Sequence, residues 1–391
     1  MSQYIPALTI DLQQDGWETS RGFIKREIEM PELNESARPS DAVSVIVKVE
    51  FAGVCGSDRG IWNRNSFTDL FRESLGKEQK SMRILGHEFV GEVVEAGSLV
   101  ASMCDIHVGN PVSGDSHVTC GKCFQCRMGE QEVCQDQKIL GISTDGIFAT
   151  YVKIPAKNLW VVDFNRVRKE LCALYDPFGN AVHCLTKVDV RGARVAIFGA
   201  GQIGMFAILL ARQFGAAKVI AIDVNPEQLA IAKELGAHET ILIEKTEKAN
   251  AYDADTQVID RIMELTYGKG VDVSLEMSGY NSSIVNTIEA TRAGGDVIWF
   301  GIKDGDVTIP HFSKIIVKGL TIHNVIGRHI FRTWQTAQRV LSDTTNGIQE
   351  KMWKSIMKSG NGTVMKLSEY TPEMFEEKMK SHPKLVFDIQ N

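Results

Sequence analysis

Four cysteines fall within fifteen residues, Cys120, Cys123, Cys126 and Cys134, in the spacing C-x2-C-x2-C-x7-C. Four thiolates this close can close a tetrahedron around one metal ion, and zinc is the expected occupant of a full four-sulfur shell with no open position. Iron–sulfur clusters also use four cysteines, but the ferredoxin pattern continues with x3-C-P. Here the last gap is seven residues and Gln135 follows. Disulfides are the other alternative, and clustered cysteines in a chain read as residing in a reducing compartment favour metal. A second set has the composition of a catalytic zinc: Cys55, His87 and one carboxylate, Asp176, with Glu88 able to take its place. Three protein ligands leave a fourth position open for substrate. Each has a plain alternative: Cys55 as a small buried hydrophobe, His87 as a satisfied core histidine, and Asp176 as the cap of a helix that starts at Pro177.

A third constellation points to a dinucleotide. Gly199-Ala-Gly201-Gln202-Ile203-Gly204 is G-x-G-x-x-G, placed between an apolar run, Arg194–Phe198, and an apolar helix-like stretch from Met205 to Phe214. The first glycine permits the tight turn, the second lets the backbone approach a pyrophosphate, and the third allows close helix–strand packing. Amides at the helix start favour the phosphate charge. Asp223 ends the next strand about twenty residues on, where a carboxylate binds a ribose diol. A carboxylate there repels a 2′-phosphate, and Val224-Asn225-Pro226 supplies no arginine. NAD is therefore expected over NADP. A turn or capping role is the alternative for Asp223.

The elements that must hold these residues divide the chain. A length of 391 residues allows one very large or two ordinary domains. Residues 43–51 read as a strand ending at a Gly53 turn, and short β-like runs continue to about 165. Residues 1–170 are expected to form a mostly β domain carrying a metal lobe at about 117–136. From 171 to 325 strands and helices alternate, with strands at 194–198, 218–222, 240–243, 271–275, 296–300 and 320–325. That alternation means a parallel doubly wound sheet, an α/β fold. Residues 326–391 begin with a helix over 330–341 and are too short to stand alone, so they are expected to pack back on the first domain.

Charged residues at 24% and hydrophobic ones at 43% suit a soluble globular protein, and the net charge of −6 gives no footprint for nucleic acid. No apolar run reaches membrane-spanning length, and Met1–Gln13 lacks a basic, then apolar leader. A cytoplasmic location is expected.

Cys55-Gly-Ser-Asp58, Gly86-His-Glu-x-x-Gly91, the four-cysteine lobe and the glycine fingerprint occur in the order seen in the zinc-containing medium-chain dehydrogenases, which the chain resembles from about residue 40 onward. Within that superfamily it is most similar to the threonine 3-dehydrogenase branch. The stretches that carry this are 113–121, Asp176-Pro-Phe-Gly-Asn-Ala-Val-His183, Leu275-Glu-Met-Ser-Gly279 and Gly327-Arg328-x-x-Phe331-x-x-Trp334. The resemblance implies a GroES-like catalytic domain, a Rossmann domain, two zinc ions per subunit, and a homo-oligomer, dimer or tetramer. It implies that Cys55, His87 and Asp176 hold the catalytic zinc with Glu88 as an exchangeable ligand. It further implies that Ser57 passes on the substrate proton and that His117 lines the substrate pocket. Arg328 is a candidate for a cofactor phosphate.

The implied reaction is NAD-linked oxidation of a secondary alcohol, with L-threonine giving 2-amino-3-oxobutanoate. Two features depart from the branch. Gly60 stands where related enzymes carry a relay histidine, and the segment 62–83 is longer than usual. Both favour the alternative of a polyol, sugar or amino-sugar dehydrogenase of the same build. A non-catalytic NAD-binding sensor would require loss of the catalytic ligands, and a zinc-knuckle nucleic-acid binder conflicts with the acidic charge. His183, Trp334, Cys104, Cys172, Cys184, His107, His311 and His323 are expected to be packing or surface residues. Glu276-Met277-Ser278 either lines the cofactor crevice or caps the sheet edge.

Overall fold

The run Ser44-Val-Ile-Val-Lys-Val is β-branched at four of six positions and apolar on both faces, the pattern of a strand buried in the middle of a sheet. In the computed structural model, which describes residues 3–244, 249–302 and 305–391, Ser44–Val54 is that central strand. Its sheet has seven strands, ordered Leu159–Val161, Pro111–Gly114, Glu88–Ala96, Ser44–Val54, Leu385–Asp388, Val364–Lys366, with Tyr151–Pro155 pairing the first half of Ser44–Val54. The second half of the central strand pairs instead with Leu385–Asp388, from the far end of the chain, in the register Leu385 opposite Val54 and Val386 opposite Gly53.

The chain forms two units, residues 1–177 with 329–391, and residues 178–328. In the first unit the core gathers around Phe23, Trp62, Phe148, Phe375 and Phe387. Trp62 meets Phe23 edge-on at 5.1 Å between centroids and lies 4.9 Å from Phe375, which stacks on Phe387 at 5.4 Å. Rings offset or edge-on in this way each add about 0.5–1.5 kcal/mol beyond their buried area. The returning C-terminal segment thus supplies part of the core as well as two strands of the sheet.

The long segment after Trp62 contains a helix, Thr68–Glu78, whose Phe71 and Leu75 are buried. Arg64 and Phe67 adopt left-handed φ values of 59° and 63° to turn the chain into it. Arg83 closes the segment. It is fully buried and donates to Glu78 at 2.8 Å, to Asp145 at 3.3 Å and to the Ser74 hydroxyl at 3.1 Å.

The second unit holds a six-stranded, wholly parallel sheet in the order Glu239–Leu242, Lys218–Asp223, Arg194–Phe198, Val271–Glu276, Thr291–Trp299, Thr321–Asn324. The chain runs outward from the third strand to one edge and then returns to build the other half. The order therefore reverses beside Arg194–Phe198, and this is the point where doubly wound sheets bind ligands. Between the strands lie helices Gln202–Gln213, Pro226–Leu235, Thr256–Leu265 and Asn281–Ala290. Asn225 caps the second, accepting from the Glu227 amide at 2.8 Å, and Gly236 ends it at φ 117°. Among the described residues no helix is long and apolar enough to cross a membrane.

Candidate zinc and dinucleotide sites

The cysteine lobe is built from turns that aim sulfur inward. Helix Phe124–Met128 starts directly after Cys123 and stops at Gly129, φ 83°. The four sulfurs of Cys120, Cys123, Cys126 and Cys134 all lie within 4.8 Å of one another. Cys123 Sγ and Cys134 Sγ are 3.9 Å apart. A tetrahedron with zinc–sulfur bonds of about 2.3 Å has edges of about 3.8 Å, whereas a disulfide needs about 2.05 Å. Backbone amides point at the sulfurs: Cys123 N and Cys120 N donate to Cys120 Sγ and Cys134 Sγ, each at 3.3 Å. Amides of Cys126 and Gln135 bring the Cys123 thiol down to about 6, while burial and neighbouring sulfurs push Cys126 up to about 12. A divalent cation resolves that conflict by stabilising all four as thiolates.

The second site sits where the central strand ends. Cys55 follows Ser44–Val54 and precedes helix Gly56–Trp62. The Asp58 carboxylate turns back to accept from the Cys55 amide at 2.8 Å, and its other oxygen lies 3.8 Å from His87 Nδ1. Gly86 sets His87 at the mouth of strand Glu88–Ala96. It has φ 82°, and a Cβ there would come within 2.3 Å of the Phe148 ring. Ligand atoms of Cys55, His87 and Glu88 lie within 4.8 Å of one another. Burial pulls the His87 imidazole down, but Asp58 foremost, then Cys55 and Glu88, push it up to about 10. His87 and Glu88 are buried and Cys55 is half-buried, and the donors, one sulfur, one nitrogen and one carboxylate oxygen, are those of a zinc site with a free position. Ser57 Oγ lies 3.5 Å from His87 Nε2.

Asp176 stands outside that group of three. Helix Tyr175–Leu185 begins one residue before it, so Asp176 lies inside the first turn and is not the cap. It is buried, and its Oδ2 accepts from the Ser116 amide at 3.0 Å. The neighbours of Ser116 are tied as well. Asp115 accepts from the His117 amide at 2.9 Å and from Trp334 Nε1 at 2.8 Å, and Trp334 stacks on Tyr175 at 5.8 Å. Asn158 Nδ2 donates to the carbonyls of Asp115 and His117 at 3.0 and 2.8 Å. His117 is thereby held in a buried, fixed strand. Position 60 has no room for a side chain: a Cβ on Gly60 would meet Ser66 Oγ at 2.5 Å.

In the second unit the three fingerprint glycines have distinct surroundings. Gly199 takes φ 100°. A Cβ on Gly201 would meet nothing within 4 Å, leaving that backbone open to a ligand, whereas one on Gly204 would lie 1.9 Å from the Gly199 carbonyl. Gln202 and Ile203 form the first turn of helix Gln202–Gln213. Asp223 lies against this turn, accepting from the Ala200 amide at 2.6 Å and from the Asn225 amide at 2.8 Å. The Gln228 amide also reaches Oδ2 at 3.3 Å, so Oδ1 is the oxygen that keeps a lone pair for a ribose hydroxyl. Arg328 is buried and donates to Asn180 Oδ1 at 2.9 Å, with its methylenes against Gly179. Glu276 accepts from the amides of Ser278 and Gly279 at 2.8 and 3.0 Å and so clamps its own turn. The buried His183 donates from Nδ1 to the Gly327 carbonyl at 3.0 Å.

The chain matches the family described as "Alcohol dehydrogenase GroES-like domain" over residues 41–163, and that described as "Zinc-binding dehydrogenase" over residues 203–343. L-threonine 3-dehydrogenase of Caldanaerobacter subterraneus is 38% identical over 297 residues, 76% of this chain and 80% of that protein. The chain belongs to the zinc-binding alcohol dehydrogenase family. L-threonine 3-dehydrogenase of Bacillus licheniformis is a second relative, 35% identical over 305 residues, 78% of this chain and 82% of the other. In fold this dehydrogenase is similar to alcohol dehydrogenase TADH from Thermus sp. ATN1, with TM-score 0.78, 24% identity, and 98% and 99% of the two chains covered. Galactitol-1-phosphate dehydrogenase from Escherichia coli gives TM-score 0.76 at 23% identity, covering 98% and 100%. The enzyme therefore carries out NAD-linked oxidation of a small alcohol and uses zinc.

Sequence reasoning passed over Asp58, Asp115, Asn158 and Lys384. Asp58 was within reach, three residues after Cys55 and able to cap it. Lys384 was not, because its partner Glu88 is 296 residues away.

Proposed function

We propose that the enzyme oxidises L-threonine at its secondary hydroxyl to 2-amino-3-oxobutanoate with NAD, using two zinc ions per subunit. The supporting observation is the gathering of Cys55, His87 and Glu88 at the end of a central strand, in a chain related to threonine 3-dehydrogenases over most of its length. A bound zinc would supply a Lewis acid for the alcohol oxygen, and NAD would supply the hydride acceptor. Cys55, His87 and Glu88 would hold the metal, with the Asp58 carboxylate 3.8 Å from His87 Nδ1 placing negative charge beside the imidazole. Ser57 Oγ takes the hydroxyl proton and passes it outward. His117, fixed through Asp115 and Asn158, lines the pocket and selects the substrate. Asp176 fixes Ser116 beside it. Gly199, Gly201, Gln202, Ile203 and Gly204 receive the pyrophosphate, and Asp223 takes the ribose diol and repels NADP.

Polyol, sugar or amino-sugar oxidation is the second reading. It is favoured by Gly60, whose side-chain space is filled by Ser66, so that no relay histidine fits there. A panel of L-threonine, secondary polyols and amino sugars, followed by NADH absorbance, decides between them. Threonine turning over no faster than the polyols would end the first reading. Among the described residues none of the eight cysteines is in a disulfide, in keeping with a reducing cytoplasm. Assembly as a dimer or tetramer belongs to the same proposal and is read by light scattering.

A further inference from the structure

Glu88 and Lys384 form an ion pair in which both side chains have 0% exposure. Glu88 Oε2 takes the lysine, and Lys384 Nζ also donates to the Val54 carbonyl at 2.8 Å. Glu88 Oε1 is buried and, among the described residues, has no hydrogen-bond partner. As a device for stability alone this is a poor arrangement. A buried ion pair recovers its desolvation cost only when the remaining lone pairs are satisfied, and an apolar pair of similar volume is often as stable. The unsatisfied oxygen belongs to the one carboxylate that shares a site with Cys55 and His87.

The backbone is arranged around the pair. Gly53 lies directly across the sheet from Glu88 on one side and from Val386 on the other. A Cβ on Gly53 would come within 2.3 Å of Glu88 Oε2 and 3.2 Å of Lys384 Nζ. Lys384 itself precedes the strand Leu385–Asp388, so the sheet pairing that brings Val386 beside Gly53 also delivers the ammonium.

We propose that Lys384 is a positioning residue for the catalytic metal: by occupying Glu88 Oε2 it limits that carboxylate to one metal bond, through Oε1, and so keeps a place free for the alcohol. The inference rests on the zinc reading of Cys55, His87 and Glu88. Removing the lysine frees Oε2 to close on the metal and raise its coordination number.

The test uses the full chain with cobalt(II) in the Cys55 site. Visible absorption reports coordination, because four-coordinate cobalt absorbs strongly and five-coordinate cobalt weakly, and metal per chain is counted by mass spectrometry. Lys384→Met should weaken and shift the cobalt bands with the metal retained, and turnover should drop by about 10–100-fold, as for other outer partners of metal ligands. Lys384→Arg should restore the parent spectrum. Gly53→Ala, which displaces Oε2 while keeping both charges, should also alter the bands, and it decides the question alone if Lys384→Met does not fold. Parent-like spectra in Lys384→Met and Gly53→Ala with both metals present overturn the inference and leave the zinc reading standing. A parent protein that binds metal only in the cysteine lobe overturns both.

Discussion

Replacing Gly86 by alanine imposes two separable costs, and a second glycine measures one of them alone. Gly86 has φ 82°, and its Cβ would sit 2.3–2.5 Å from three atoms of the Phe148 ring. Gly109 has φ 89°, and its Cβ would meet nothing within 4 Å. Gly109→Ala therefore pays only for a left-handed L-residue, about 1–2 kcal/mol. Gly86→Ala adds overpacking of about 1–3 kcal/mol, because the ring must retreat by about 1 Å to reach ordinary contact. Phe148 has little freedom to do so: it is fully buried and lies 5.3 Å from Phe387 and 6.4 Å from Phe23. At about 2–4 °C per kcal/mol for a domain of this size, the thermal midpoint should fall by about 2–8 °C for Gly109→Ala and by about 4–20 °C for Gly86→Ala. Because His87 follows Gly86, the second variant should also lose zinc from the Cys55 site, whereas Gly109→Ala keeps it. Calorimetry and metal analysis read both effects. Adding Phe148→Leu to Gly86→Ala should recover part of the loss. Equal midpoints for the two single variants, with full zinc in both, would refute the role assigned to Phe148.

Two further outcomes are expected. Cys126→Ser removes a buried sulfur from the lobe and should reduce metal from two ions per chain to one, read by mass spectrometry; retention of two would show that the lobe is not a four-sulfur zinc site. Asp223→Asn keeps an acceptor for the Ala200 amide but removes the charge. Hydrogen bonds to a charged group are worth about 1.5–3 kcal/mol, so kcat/KM for NAD should fall by about 10–100-fold while that for NADP holds or rises. An unchanged ratio between the two cofactors would return Asp223 to a turn residue.

The parallel sheet was the most legible part of the chain, for a physical reason. Its strands are buried on both faces, so Arg194–Phe198 and Lys218–Asp223 read as near-continuous apolar runs, while Val271–Glu276 reads through its strict alternation of apolar and polar residues. Thr291–Trp299 starts earlier than the expected 296–300, because Gly294 and Gly295 in its middle look like a break. Helix Thr68–Glu78 leaves little trace in the sequence. It buries only Phe71, Ser74 and Leu75, and left-handed Phe67 and Gln79 bound it in place of a recognisable cap. Asp176-Pro177 looked like a cap followed by the first helical residue, but Tyr175 already belongs to the helix. The cysteine spacing and the glycine fingerprint were legible because each site is local in sequence. The lysine beside Glu88 was not, since nothing near either residue encodes the pairing.

The central strand acquires one neighbour very late. Val54 is bonded by Lys384, 330 positions further along. At about 5–20 residues per second, a ribosome needs roughly 15–65 seconds to cover that distance. Throughout that interval one edge of Phe51–Val54 has no strand beside it and the Glu88 carboxylate has no ammonium. The parallel sheet, encoded wholly between the two, can be finished first. Newborn chains thus carry an exposed pairing edge, and chaperones that shield such edges have about that long to act.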